Sequence, residues 1–501
     1  MAQQEKGIGS TGTYAPLMSI LAIDAGTTGV TALVVNERGE ITSRGYCEFE
    51  QHFPKPGWVE HDPEQIWQAA LTAARQALKP GIEIRAIGID NQRETLVLWH
   101  KDTLKAPRRA IVWQDRRTSD IVDELQNYRP LVQSKTGTGL DPYFTSTKLV
   151  WLQRNEPEIW QGVINGEIHI GTVDTYLVSR LTGGKTFITD ASNASRTQLC
   201  NIDTATWDDE LLGIFDVPKE ALAKIVPNFG HLADTDPQSF LGISAPITGM
   251  AGDQQAALFG QAAFDEGDSK CTYGTGAFLL TNTGNKRITS QNGLLTTIAW
   301  LAPNGQITYA LEGSVFVAGS AVQWLRDGLK IIKESKDVES LANQVQDSGG
   351  VVFVPALTGL GAPWWKPEVR GTIFGITRGT TDAHIARATL EAVAFQVTDL
   401  VRAMEEDLGK SINTLRVDGG MCQNNLLMQL QANSLDQTVE RGTILETTGL
   451  GAAYLAGIGS GIFKSFDGLE GLWKLAREFS SEGDSKLPSD AWHRAVAALA
   501  V

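Results

Sequence analysis

Thiols are scarce in this sequence. Four cysteines, Cys47, Cys200, Cys271 and Cys422, are spread over 501 residues without a CxxC pair. Neither a disulfide framework nor a thiolate metal site is expected, and the thiols read as free in a reducing compartment. Positive charge is short as well. The 43 Lys and Arg residues face 58 Asp and Glu, a formal net charge of −15. Nucleic acid and anionic membrane surfaces repel such a chain, although a local electropositive pocket for a nucleotide is compatible with it. No run approaches the ~18 apolar residues of a membrane span, so no membrane insertion is expected. The first 18 residues, MAQQEKGIGSTGTYAPLM, lack the apolar centre of a secretory leader and read as a loose tail. A cytoplasmic location is the expectation that follows.

What is present is a globular α/β pattern. Hydrophobic residues make up 42% and charged residues 20%, and the length suits two to four domains with a core large enough to need no staple. The segments 19–24 and 31–36 read as strands around a glycine turn, and 41–49 as a third. The segment PEQIWQAALTAARQAL, residues 63–78, is apolar at helical spacing, with Pro63 placed after Asp62 as a helix entry. IRAIGIDNQ, residues 84–92, reads as a buried strand, and strands alternating with helices imply an α/β fold. The opening recurs about 250 residues later, where KCTYGTGAFLLTNTGN is again a strand, a Gly-Thr-Gly turn and an apolar strand. A recurrence at half-length suggests two related domains. The boundary is drawn between residues 262 and 263, giving a tail over 1–18, a first domain over 19–262 and a second over 263–501.

Several short stretches carry groups suited to chemistry. DAGTTG (Asp24–Gly29) puts a carboxylate and two hydroxyls on one tight turn. Such a turn is either a structural hairpin or a cradle in which backbone N–H groups and hydroxyls meet phosphate while the aspartate serves a magnesium ion. It has neither phosphate-loop fingerprint, GxxxxGK[ST] or GxGxxG. In TGMAGDQQAALFGQAAF, Asp253 stands where a helix begins after a strand. It is either a helix cap or a general base kept ionised by the helix terminus. Arg93 and Glu94 lie side by side at a strand end, as a surface ion pair or as a donor and an acceptor for vicinal hydroxyls, and Trp113 ends a later apolar run. DPYFTSTKLVWLQRN sets an aromatic pair before a Ser/Thr turn and a helix, and LRVDGGMCQNN sets a double-glycine turn before an amide-rich helix start in which Asn424 is placed to bond a flat ring.

Thirteen stretches in one order, from DAGTTG and NQRET through GDQQAALFGQ and TYGTGAF to RVDGG, resemble the glycerol kinases of the sugar-kinase family, whose fold is that of the actin-like ATPases. The resemblance runs from Ser19 to about Phe463. It implies two actin-like, ribonuclease H-like domains related by duplication, with a nucleotide cleft between them. It implies ATP and Mg²⁺ as cofactors, glycerol as acceptor, sn-glycerol 3-phosphate as product, and a homodimer or homotetramer. Residue by residue, it implies Asp253 as catalytic base. Arg93, Glu94, Trp113, Tyr143, Gln254 and Phe278 would join Asp253 at glycerol. Thr27, Thr28, Gly29, Gly274 and Thr275 would sit at the phosphates, and Gly319, Gln323, Gly420, Met421 and Asn424 around the adenine nucleotide. Asp24 and Asp253 would serve Mg²⁺, partly through water. One departure stands out: Thr31 occupies a position where many members carry arginine or lysine, so a cation is missing beside the phosphates. Two other readings remain, a kinase of the same fold acting on another polyol or ketose, and an actin-like ATPase that transfers phosphate to no small molecule.

Overall fold

The computed structural model describes residues 18–366, 368–482 and 489–499. The expected tail lies outside the described residues apart from Met18, which already belongs to a strand. That strand, β1 (Met18–Ala25), forms an antiparallel meander with β2 (Gly29–Asn36) and β3 (Ile41–Glu48). The chain then enters α1 (Pro63–Ala77), where the Asp62 side chain accepts from the Glu64 N–H and Pro63 fills the first helical position, which needs no donor. β4 (Glu83–Asn91) returns parallel to β1. After helix α2 (Thr145–Asn155) and a long excursion, β5 (Phe229–Asp234) and β6 (Pro246–Gly252) complete a six-stranded sheet of order β5-β6-β4-β1-β2-β3. Helix α3 (Asp253–Gly260) follows directly. It ends at Gly260, because Gln261 closes the helix and Ala262 turns to positive φ.

A second sheet repeats the arrangement. β7 (Ser269–Tyr273) and β8 (Ala277–Gly284) form the second glycine hairpin, and β8 is flanked by β10 (Ile307–Val315), with β9 (Leu295–Leu301) outside it. On the other side β11 (Thr414–Asp418) and β12 (Thr438–Gly442) run parallel to β7, and β13 (Leu475–Phe479) closes the edge antiparallel. The order is β9-β10-β8-β7-β11-β12-β13. In both sheets an antiparallel hairpin is followed by two parallel strands, the pattern expected of a duplicated unit.

Three helices complete the frame: α4 (Gly319–Asp327), the 27-residue α5 (Asp382–Leu408) and α6 (Thr447–Ser460). Helix α6 follows the second sheet in sequence but packs on β1, β4 and β6 of the first and against α3. Its apolar residues join Ile20, Ala22 and Leu33 of the first sheet, Phe259 of α3 and Leu280 of the second in one buried layer. The crossing of α3 and α6 is so close that a Cβ added at Gly451 would stand 1.8 Å from the Ala256 carbonyl oxygen, and one at Gly260 would stand 2.0 Å from that of Thr447. Only hydrogen fits there. Among the described residues no helix is long and apolar enough to cross a membrane.

Candidate active site

Three carboxylates stand at the carboxyl ends of the three parallel strands β1, β4 and β6, the edge where open α/β sheets place their ligands. Asp24 and Asp90 are register partners on β1 and β4. Asp253 follows β6 as the first residue of α3. Gly252, in extended conformation, holds the cap position, and the Asp253 Oδ1 accepts from the adjacent Gln254 N–H at 2.7 Å. The capping reading of Asp253 therefore does not describe it. Arg93 Nε lies 3.1 Å from Oδ1, and the side chain keeps about 25% of its surface exposed. Burial raises its pKa above the ordinary carboxylate value, opposed by the Arg93 guanidinium, the Gln254 N–H and the Lys270 ammonium.

Asp24 and Asp90 meet inside the sheet edge. Burial pushes Asp24 up to about 7, with the hydrogen bond to Asp90 and the charge of Arg44 working against the rise and Asp253 and Glu446 adding to it. Burial and the Asp24 charge push Asp90 well above its usual range. Among the described residues no donor reaches either Asp90 oxygen, so a hydrogen bond between the two carboxyls requires a proton shared between them. Among the described residues no group of three or more His, Cys, Asp or Glu side chains is arranged to hold a metal unaided. The donor set fits Mg²⁺ all the same, since that ion takes one or two carboxylates and completes its shell with water and substrate phosphate.

Arg93 and Glu94 are buried and adjacent, yet they are not each other's partner. This corrects the surface ion-pair reading. Arg93 forms a two-pronged pair with Glu312 of β10, at 2.5 and 2.9 Å. Glu94, held at φ 60°, accepts from Arg196 Nε at 2.6 Å, and Arg196 in turn reaches Glu312 at 3.1 Å. Burial alone would raise both glutamates. The two guanidinia overcome it at Glu312, which is held down to about 2, whereas Glu94 remains raised.

The expected aromatic residues form one wall. Trp113 meets Tyr143 edge-on at 5.6 Å and Phe278 at 6.2 Å, and its Nε1 donates to Thr27 Oγ1 at 3.0 Å. Trp113 thereby joins the first glycine turn to β8 of the second unit. The Ser/Thr residues after Phe144 are not a separate turn; they are the first turn of α2. Thr145 Oγ1 donates to the Glu94 carbonyl at 3.0 Å, and the buried Lys148 Nζ donates to the carbonyls of Pro142, Tyr143 and Phe144. These bonds fix the height of Tyr143. Gln254 accepts from Lys270 Nζ at 2.5 Å, so its side chain bridges to β7.

The two glycine turns match in detail. Each follows a strand that runs into the cleft, and each leaves one threonine exposed, Thr28 in the first and Thr275 in the second. The first is braced by Gln92, whose Nε2 donates to the Gly26 carbonyl at 3.0 Å, and Gly29 opens β2. The second is tied to α4: Gly319 N donates to the Gly274 carbonyl, and Ala318 N and Ser320 N to that of Thr275, each at 3.0 Å. A Cβ at Gly319 would meet the Gly274 oxygen at 2.6 Å and Met421 Sδ at 3.2 Å, so Gly274, Gly319 and Met421 share one locus. Gln323 is exposed one helical turn beyond Gly319, and Gly420 is exposed beside Met421. Asn424 commits its side-chain oxygen to the Leu427 N–H as the cap of the helix Asn425–Leu435, which leaves its amide N–H groups for a ring. Thr31 is buried opposite Asp24 and Tyr46, and the cation whose charge Asp24 feels from this side is Arg44, paired to Glu446 at 2.6 Å.

Asp90, Arg196, Lys270 and Glu312 escaped the reading of the sequence. All sit within the span of the resemblance: Asp90 directly before NQRET, Arg196 in the segment TDASNASRT, Lys270 just before TYGTGAF and Glu312 in the segment LEGSVF. Nothing local distinguishes them, because their partners lie on other strands.

Comparison with known proteins follows the same two units. The FGGY family of carbohydrate kinases matches with its N-terminal domain over residues 19–260 and its C-terminal domain over residues 269–460. A glycerol kinase of Bdellovibrio bacteriovorus is 50% identical over 486 residues, 96% of this chain and 98% of the relative. One of Thermus thermophilus is 50% identical over 489 residues, with the same coverage. Among solved structures, the Plasmodium falciparum glycerol kinase with ADP superposes at a TM-score of 0.89 with 37% identity, over 98% of this chain and 100% of that one. A gluconate kinase from Lactobacillus acidophilus shares the fold at a TM-score of 0.85 and 23% identity, over 97% of this chain and 99% of that one.

Proposed function

The chain belongs to the FGGY family of carbohydrate kinases, and on that footing we infer that it transfers the γ-phosphoryl group of ATP to glycerol, giving sn-glycerol 3-phosphate and ADP. One observation carries the reading. Asp253, a partly exposed carboxylate of the three-strand edge, meets the buried Arg93 at 3.1 Å and feels the Lys270 ammonium, at the same sheet end as the first glycine turn, whose Thr27 carries the aromatic wall through Trp113. Phosphoryl transfer demands positioning and charge neutralisation more than covalent chemistry, and that constellation supplies both.

Asp253 is the base. It accepts the proton of a primary hydroxyl while that oxygen forms a bond to the γ-phosphorus and the bond from phosphorus to the bridging oxygen of ADP breaks. Arg93 and Glu94 offer a donor and an acceptor to the remaining hydroxyls, and Trp113, Tyr143 and Phe278 cover the carbon side. Gln254, tethered by Lys270, closes the acceptor pocket toward the second unit. Thr27, Thr28, Gly29, Gly274 and Thr275 present N–H and O–H groups to the phosphates. Gly319, Gln323, Gly420, Met421 and Asn424 receive the adenosine. Asp24 and Asp253 would hold Mg²⁺, partly through water, and the ion would neutralise charge on the transferred group. The division of the chain at residues 262 and 263 is supported by the gap between the two family matches and by the end of α3. Assembly into a homodimer or homotetramer rests on the resemblance to such kinases, and light scattering on the purified chain tests it.

A coupled assay of ADP release tests the function, run without acceptor and with glycerol, a four-carbon polyol and a pentulose. Stimulation by glycerol far above the others is the expected result. Stimulation by the ketose alone, or turnover that ignores every acceptor, would overturn the reading.

A further inference from the structure

We propose that Glu312 is a positioning residue for the acceptor site: a carboxylate delivered by the second unit that sets the direction of Arg93 and, through Arg196, of Glu94. The inference rests on the glycerol reading of that site. Glu312 lies on β10, in register with Leu280 of β8, and Phe278, the second unit's contribution to the aromatic wall, is two residues along on the same face of β8. One strand pair therefore brings both side chains to the first unit.

Among the described residues, Glu312 accepts three hydrogen bonds, all from guanidinia of the first unit. Oε2 accepts from Arg93 Nη1 at 2.5 Å, and Oε1 accepts from Arg93 Nη2 at 2.9 Å and from Arg196 Nη2 at 3.1 Å. Arg93 and Arg196 then continue to the groups assigned to the reaction. Arg93 Nε meets Asp253 at 3.1 Å and Arg196 Nε meets Glu94 at 2.6 Å. Glu312 and Arg196 are fully buried and Arg93 nearly so, which means that water cannot replace a lost partner. A fork-to-fork pair fixes the plane of a guanidinium as well as its place. With Glu312 neutral or shortened, the carboxylate left to Arg93 is Asp253. The guanidinium would swing toward the base, and Glu94 would follow the displaced Arg196. The acceptor hydroxyls would lose both of their polar guides while the nucleotide site, on the other side of the glycine turns, would keep its contacts.

This is a division that a general loss of folding does not produce, and steady-state kinetics with Glu312→Gln and Glu312→Asp read it. For Glu312→Gln the expected result is a glycerol KM at least tenfold higher with an ATP KM within twofold of the parent. Glu312→Asp, which keeps the charge on a shorter arm, is expected to recover part of the loss while still raising the glycerol KM about threefold. Calorimetric titration of glycerol into the nucleotide-free variants should show the same order. If Glu312→Gln fails to fold, the aspartate variant carries the test alone. An unchanged glycerol KM, or glycerol and ATP KM values that rise by the same factor, would overturn the proposal. The wild-type control separates the two claims. A parent protein that neither binds nor phosphorylates glycerol ends the functional reading, whereas an active parent with indifferent Glu312 variants ends only this inference.

Discussion

A carboxylate serves as a base only while one of its oxygens is free, and Asp253 meets that condition narrowly. One oxygen is shared between the Gln254 N–H and Arg93, and a quarter of the side chain faces the cleft. Asp253→Asn keeps the shape and removes the basicity. Its expected effect is a fall in kcat of about 10²–10⁴ with glycerol affinity by calorimetry close to that of the parent, and near-native turnover would refute the assignment. Because burial raises the Asp253 pKa, the acid limb of kcat/KM should lie above the ordinary aspartate range, with activity lost as pH falls through it. Thr31 gives a second prediction at this scale. Thr31→Arg would set a guanidinium opposite Asp24, at the edge where the triphosphate would lie. Tighter ATP binding by titration is expected, and an unchanged affinity would mean that Arg44 already supplies the charge. Single residues were also where the sequence misled. Arg93 and Glu94 are neighbours of opposite sign, and adjacency suggested a pair, but consecutive side chains at a strand end point apart and each finds a partner more than a hundred residues away.

Elements were more legible than their contacts. Turn chemistry and apolar spacing gave β1, β2, α1, β4 and the second hairpin to within a residue or two, because those signals are local. The placement of α6 was not legible. Its glycines and alanines carry no local sign of a partner, and only the fold brings them against α3 and the first sheet. The close crossing at Gly451 carries a prediction. Gly451→Ala would drive a methyl group into the Ala256 carbonyl, 1.8 Å from the added atom. The helices must then part, at a cost of about 1–3 kcal/mol or more, read as a lower midpoint in urea. An unchanged midpoint would show that the crossing is slack.

Across the whole molecule the buried charges are shared between units. The guanidinia of Arg93 and Arg196 hold Glu312 at about 2 in the fold, against 4.5 as its ordinary value. The unfolded chain therefore takes up that proton first as pH falls. The sign follows from linkage: this contribution to stability is complete above about pH 4.5 and is lost progressively toward pH 2. Glu312→Gln should flatten the decline of the unfolding midpoint across that window relative to the parent, and parallel curves for the two proteins would count against the electrostatic account. The same bonds join the two sheets, so this acid sensitivity belongs to their docking and not to either sheet alone.

The sequence by itself determined the α/β pattern, the repeated glycine hairpin and the strand-end or helix-start positions of Asp24, Asp253 and Arg93, because strand alternation, turn propensity and helix entry depend on neighbours a few residues apart, whereas Phe278 was reached only through the family resemblance. Tertiary structure alone decided that Asp90 lies beside Asp24 without a donor among the described residues, that Asn424 spends its oxygen on a helix cap, and that Glu312 and Arg196 stand behind the acceptor site. The reason is physical: the charge state and direction of a buried group are fixed by what surrounds it, and those surroundings come from strands that meet only when both halves of the chain have folded together.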